Sequence, residues 1–141
     1  MGMGDWASRS STKTTTVAVC VPARLEQLIM VRALAETVCL IADFALDEVT
    51  DIRLALDEVA TTLVLDAAPD TNLDCRFSYD DASMFVHVAA VATSEAPVGQ
   101  DGFGWHIVRT LTDSIAAVQQ PYDHAIGGYP TLVDFSWVRA G

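Results

Sequence analysis

The 141-residue chain carries nineteen acidic against eight basic side chains, and a net charge of −11 repels phosphate backbones, which argues against direct nucleic-acid binding. With 51% hydrophobic and 19% charged residues it reads as a globular body rather than a disordered one, and no apolar run reaches the length of a membrane span. Residues 1–13 are expected to form a solvated tail and 14–141 a single domain. The opening stretch "MGMGDWASRSSTKTTT" has no apolar signal core and lacks the Ser or Thr that a myristoylation motif needs at its sixth place.

"TTTVAVCVP" alternates, with Val17, Val19 and Val21 on one side, and Pro22 stops it: a strand. From Ala23 to Asp43 the apolar positions Leu25, Leu28, Val31, Leu34, Val38 and Ile41 recur at helical spacing and predict one long amphipathic helix. Asp47 is then placed to cap a second helix whose stripe runs Val49, Ile52, Leu56, Val59 and Leu63, ending before Pro69. "LDCRFSY" and "MFVHVAAVA" read as a hairpin around the "DDAS" turn. After the loop "TSEAPVGQDG" a third helix is expected near Gly104, and "SIAAVQQ" and "TLVDFSWV" read as two further strands. Grouped helices and consecutive strands predict an α+β fold, a two-layer sandwich with helices on one face of a mixed, mainly antiparallel sheet.

Three cysteines, Cys20, Cys39 and Cys75, are odd in number and each sits in an apolar segment, which predicts buried thiols in a reducing compartment, with redox sensing as the alternative. His87, His106 and His124 have no metal-ligand spacing, and no metal site is expected. The one lysine, Lys13, lies in the tail, so a phosphate clamp in the body would fall to arginine. Glu58 and Thr62 lie four apart, on one face of the second helix.

The run "ADFALDEVTDIRLALDEVATTLV" resembles the second-helix region of the anti-sigma factor serine kinases of the RsbW and SpoIIAB type, and "GFGWHIVRTLTD" resembles that family's second glycine box. The resemblance runs from the first strand to the last, and the alanine-rich, lysine-poor composition is similar to its actinobacterial branch. It implies the histidine-kinase-like ATPase fold and a cytoplasmic homodimer. It further implies a protein that holds an alternative sigma factor away from RNA polymerase until an anti-anti-sigma partner of the STAS type releases it. Active members phosphorylate a serine of that antagonist with ATP and Mg²⁺.

Carried over by position, the resemblance makes Glu58 the candidate general base. Thr62 stands where the family has a Mg²⁺-holding Asn, and a hydroxyl lacks the reach of that amide. Gly102 and Gly104 are the candidate phosphate-binding glycines at a helix start. The Asp and Gly that receive adenine after the third strand have no counterpart in "VHVAAVATSEAP", where the nearest acid is Glu95 and the nearest glycine Gly99. An adenine amino group left without its acceptor costs roughly 1–3 kcal/mol. Arg32 matches an arginine used at the surface shared by sigma factor and antagonist, with Arg24 beside it, the alternative for Arg32 being a pair with Glu36 one turn on. Leu25, Leu28 and Ile29 fall where the family dimerises, through its first strand and first helix, and burial in the monomer core is the alternative for them. The expectation is a degenerate anti-sigma factor with no cofactor, ATP and Mg²⁺ binding only if the site is functional. The alternatives are an active serine kinase, or a regulator that recognises the antagonist alone.

Overall fold

The computed structural model describes residues 13–95 and 103–139. Its strands are β1 (Thr15–Pro22), β2 (Asn72–Tyr79), β3 (Ser83–Ala92), β4 (Ser114–Gln119) and β5 (Tyr129–Val138), and its helices are α1 (Leu28–Ile41), α2 (Leu46–Leu65) and α3 (Phe103–Leu111). The strands form one sheet in the order β1-β2-β3-β5-β4. Every neighbouring pair in it is antiparallel, so the parallel component expected in a mixed sheet is absent among the described residues. The two-layer α+β arrangement is as expected.

Period-two alternation decides which face of each strand is buried. In β2, Leu73, Cys75 and Phe77 point inward, and in β3 Met84, Val86 and Val88 do the same. Val133, Phe135 and Trp137 of β5 complete that inner face, the last two meeting edge to face with ring centroids 5.2 Å apart. Against it α2 lays Ile52, Ala55, Leu56, Val59, Ala60, Leu63 and Val64, and α1 lays Leu28, Val31, Ala35, Val38 and Cys39. α3 contributes Trp105 and Val108. Trp137 Nε1 donates to the Leu111 carbonyl at 2.7 Å, which satisfies both the indole and the end of α3.

The helix boundaries differ from those expected. The first helix does not run from Ala23, because Arg24 is extended and residues Leu25–Gln27 form a 3₁₀ turn before α1 begins at Leu28. Asp47 is not the cap of α2. The N-cap is Ala45, whose backbone N–H donates to the Glu48 carboxylate at 3.0 Å, while Asp47 lies inside the first turn and accepts from the Glu48 N–H. Phe44, buried in the core, fixes where the link enters, so the helix must start before Asp47. Past Ala42 the chain turns through Asp43 at φ 62°, and the Arg139 guanidinium donates to the Ala42 and Asp43 carbonyls while its Cζ sits 4.3 Å from the centre of the Phe44 ring. One arginine from the end of β5 thus closes the C-terminus of α1.

Ile52 is fully buried at the helix–sheet contact. Ile52→Ala is expected to lower the unfolding free energy by about 3 kcal/mol, read from the urea midpoint at unchanged slope.

Candidate partner and nucleotide site

α1 and α2 pack side by side, and their facing polar edges carry charges in reverse order: Arg32 and Glu36 on α1, Arg53 and Asp57 on α2. Arg32 Nε donates to Asp57 Oδ1, and Arg53 Nη1 donates to Glu36 Oε1 at 2.9 Å. The Arg32–Glu36 pair considered from helical spacing is therefore not formed, because each residue finds a better placed opposite charge across the helix pair. Arg32 keeps 42% of its side chain exposed, and its terminal nitrogens have no partner among the described residues. Half of its fork thus remains available. Arg24 is well exposed and pairs loosely with Glu26 at 3.8 Å.

With these charges turned toward α2, the outward side of α1 is left apolar. Leu25, Ile29, Met30, Leu40 and Ile41 are each at least half exposed. Leu28, grouped with Leu25 and Ile29 as a contact candidate, is instead buried in the core.

One turn from the C-terminal end of α2, Thr62 is exposed, and its hydroxyl donates to the Glu58 carbonyl at 2.8 Å. A hydroxyl folded back on its own helix holds its oxygen close to the helix surface, short of where an amide would reach. Glu58 is half-buried and its carboxylate has no hydrogen-bond partner among the described residues. It is accessible to a nucleophile, but no arginine is paired with it. Gly104 lies inside the first turn of α3, which begins at Phe103, rather than before the helix; Gly102 falls outside the described residues. The aspartate of that glycine box, Asp113, accepts from the Val138 N–H at 2.6 Å and so clasps the end of β5.

At the end of β3, where the adenine acceptor was sought, the structure supplies a carboxylate from elsewhere. Asp66, just past α2, accepts from the Thr93 hydroxyl at 2.6 Å, the Ser94 hydroxyl at 2.9 Å and the Ser94 N–H at 3.3 Å. Its own carbonyl accepts from the Thr93 N–H at 2.8 Å. No spacing rule links residues 66 and 93, so sequence reasoning missed it. Three donors already occupy this carboxylate, which makes it a poor acceptor for a base.

Among the described residues no three His, Cys, Asp or Glu side chains are grouped to hold a metal ion. His87 Nδ1 lies 2.6 Å from Asp134 Oδ1, His124 meets Tyr122 edge to face, and His106 is exposed on α3. Cys39 and Cys75 are buried, and burial pushes their thiols up to about 11 and about 12. Cys20 departs from expectation. It is exposed, because β1 is an edge strand and the outward side of the sheet has no helix over it.

No family model matches the chain. Two curated relatives do, each 33% identical over 99 residues, a span that covers 70% of this chain and 59% of the relative. Both are named anti-sigma-F factor RsbW, one from Mycobacterium tuberculosis strain CDC 1551 / Oshkosh and one from strain ATCC 25618 / H37Rv. Over that span the chain is similar to proteins named as anti-sigma factors of the RsbW type. It spans about three fifths of the length of the relatives it matches. The residues singled out by resemblance thus lie on two neighbouring helices, Glu58 and Thr62 on α2 and Arg32 on α1.

The thiols separate by reactivity. The Asp74 carboxylate beside Cys20 accepts its hydrogen bond and raises its pKa, and since the thiolate is the reactive form, Asp74→Asn is expected to lower that pKa and speed alkylation of Cys20 at pH 8. Cys39 and Cys75 should stay unlabelled in the folded protein, as mass spectrometry of iodoacetamide adducts would show.

Proposed function

We propose that the chain is an anti-sigma factor acting in the cytoplasm as a homodimer, which sequesters an alternative sigma factor from RNA polymerase and is released by a STAS-type antagonist. The observation that carries this reading is the 99-residue match to proteins named for acting against sigma-F. The net charge of −11 supports it, since an acidic inhibitor attracts the basic surfaces by which sigma factors hold DNA. Arg32 is the contact on which partner exchange turns: tethered by Nε to Asp57, it offers its remaining donors outward at low entropic cost, and two partners that need the same fork exclude one another.

Phosphotransfer is lost in this reading. Thr62 bonds its own helix instead of reaching a metal, and Asp66 is taken by Thr93 and Ser94. The switch is then competition between proteins. A single observation favours retained kinase activity, the unpaired carboxylate of Glu58 in the position of the general base.

Two measurements test the proposal. Calorimetry with Mg-ATP is expected to give no saturable binding up to millimolar nucleotide; micromolar binding abolished by Glu58→Ala would restore the kinase reading. In biolayer interferometry against each sigma factor of the source cell, one should bind in competition with core polymerase, and Arg32→Ala should weaken it about 10- to 30-fold. Failure of every sigma factor to bind would sink the assignment. Asp57→Ala, which frees Arg32 without removing it, is expected to weaken binding far less than Arg32→Ala.

A further inference from the structure

Among the described residues the sheet has two free edges, β1 and β4. Natural proteins guard such edges with lysine, proline or other charge, because a row of unpaired N–H and C=O groups recruits further strands. β1 follows Lys13 and ends at Pro22, whereas β4, with the sequence SIAAVQ, carries no charge and no proline. In an antiparallel ladder alternate residues bond to opposite sides. The Gln120 N–H donates to the Pro130 carbonyl at 2.8 Å and the Arg139 N–H to the Ala82 carbonyl at 2.7 Å, which fixes the phase: Ser114, Ala116 and Val118 bond to β5. Ile115 and Ala117 therefore direct two N–H donors and two C=O acceptors at the open edge, where no described group meets them.

The side chains decide what would fit there. Ile115 and Ala117 pack against the core together with Leu111 of α3. Between them Ala116 turns to the outer face, and opposite it on β5 stands Asp134, its side chain 60% exposed. A single methyl group on β4 is thus all that separates this carboxylate from the edge. Asp134 Oδ1 lies 2.6 Å from His87 Nδ1, and Oδ2 has no partner among the described residues.

We propose that the free edge of β4 binds an extended segment of a partner protein as an added antiparallel strand, with arginine or lysine at its centre and an apolar residue on either side. The two apolar residues stand opposite Ile115 and Ala117, exchange main-chain hydrogen bonds with them and turn their side chains toward the helical layer. The basic residue stands opposite Ala116, two strand spacings or about 10 Å from Asp134, a distance that an arginine side chain and a carboxylate span together. A glutamate at that place would meet Asp134 as a like charge and be turned away. The net charge of −11 draws basic segments toward the chain in the first place. This contact lies at the sheet edge opposite β1 and does not involve Arg32.

Fluorescence anisotropy on the full chain tests this, with a labelled peptide that has arginine at its centre, a valine on each side and two threonines beyond each valine. Saturable binding is expected, about tenfold weaker when glutamate replaces the arginine, and Asp134→Arg should invert that preference. Ala117→Pro removes an outward N–H and none that β5 uses, so it should abolish binding while circular dichroism reports an unchanged fold. Methylated peptides examine the main chain without altering the protein: methyl groups on the two valine nitrogens should abolish binding, and one on the arginine nitrogen should not. No saturable binding at millimolar peptide would overturn the proposal. So would equal affinity for the arginine and glutamate peptides, or binding that survives Ala117→Pro or methylation of the valines. A dimer in sedimentation equilibrium that Ala117→Pro makes monomeric, from a chain that ignores the peptide, would overturn it in favour of a second copy at this edge. Each of these results leaves the anti-sigma reading to its own test.

Discussion

Seven side chains of α2 from Ile52 to Val64 are buried together, and the placement of nearly everything else depends on them. The sheet can bury only one face with the helices available, and α2 is the element that touches α1 and α3 on either side and β3 beneath. The positions left over on α2 are then forced outward at fixed angles, about 100° per residue. Asp57 and Arg53 meet α1, and Glu58 and Thr62 lie on a different side of the helix. The contact with α1 and the edge that carries Glu58 and Thr62 are thus two sides of one helix, set by a single buried stripe.

That shared helix would let the proposed partner binding persist without phosphotransfer. The polar bridges between α1 and α2 and the apolar stripe beneath them do not pass through Thr62 or the end of β3. Changes at Thr62 or at the end of β3 would therefore leave the helix pair intact. Even Asp66, placed where a base-binding acid would be of use, serves to fasten the end of β3 to the end of α2. The polar groups at this junction satisfy one another, as buried and half-buried polar groups generally must.

The strands were legible from alternation because the inner face of the sheet is uniformly apolar, and Leu73, Cys75 and Phe77 are buried as their spacing demands. Helix centres were legible for the same reason. Helix ends were not: Asp47 has the chemistry of a cap, but the helix is capped at Ala45, next to the buried Phe44, which puts Asp47 two residues too late. The glycine box fared in the same way, Gly104 falling within α3 rather than before it. What spacing along one helix could not supply was contacts across the fold. Arg32 with Asp57, Asp66 with Thr93, and His87 with Asp134 each join residues far apart in sequence. Cys20 was misread because apolar neighbours signal burial only where something lies over the strand.

The position of β1 bears on how the chain assembles. β2 and β3 meet through a tight turn in which Asp80 accepts from Ala82 and Ser83, so their pairing needs closure of only a short loop. β1 has β2 as its one neighbour, and the whole α1–α2 hairpin lies between them in sequence. Its register, Thr15 against Tyr79 through Pro22 against Asn72, closes the longest loop of any strand pair in the sheet. Wherever β1 is unpaired, β2 is left as an open template at the margin of the sheet.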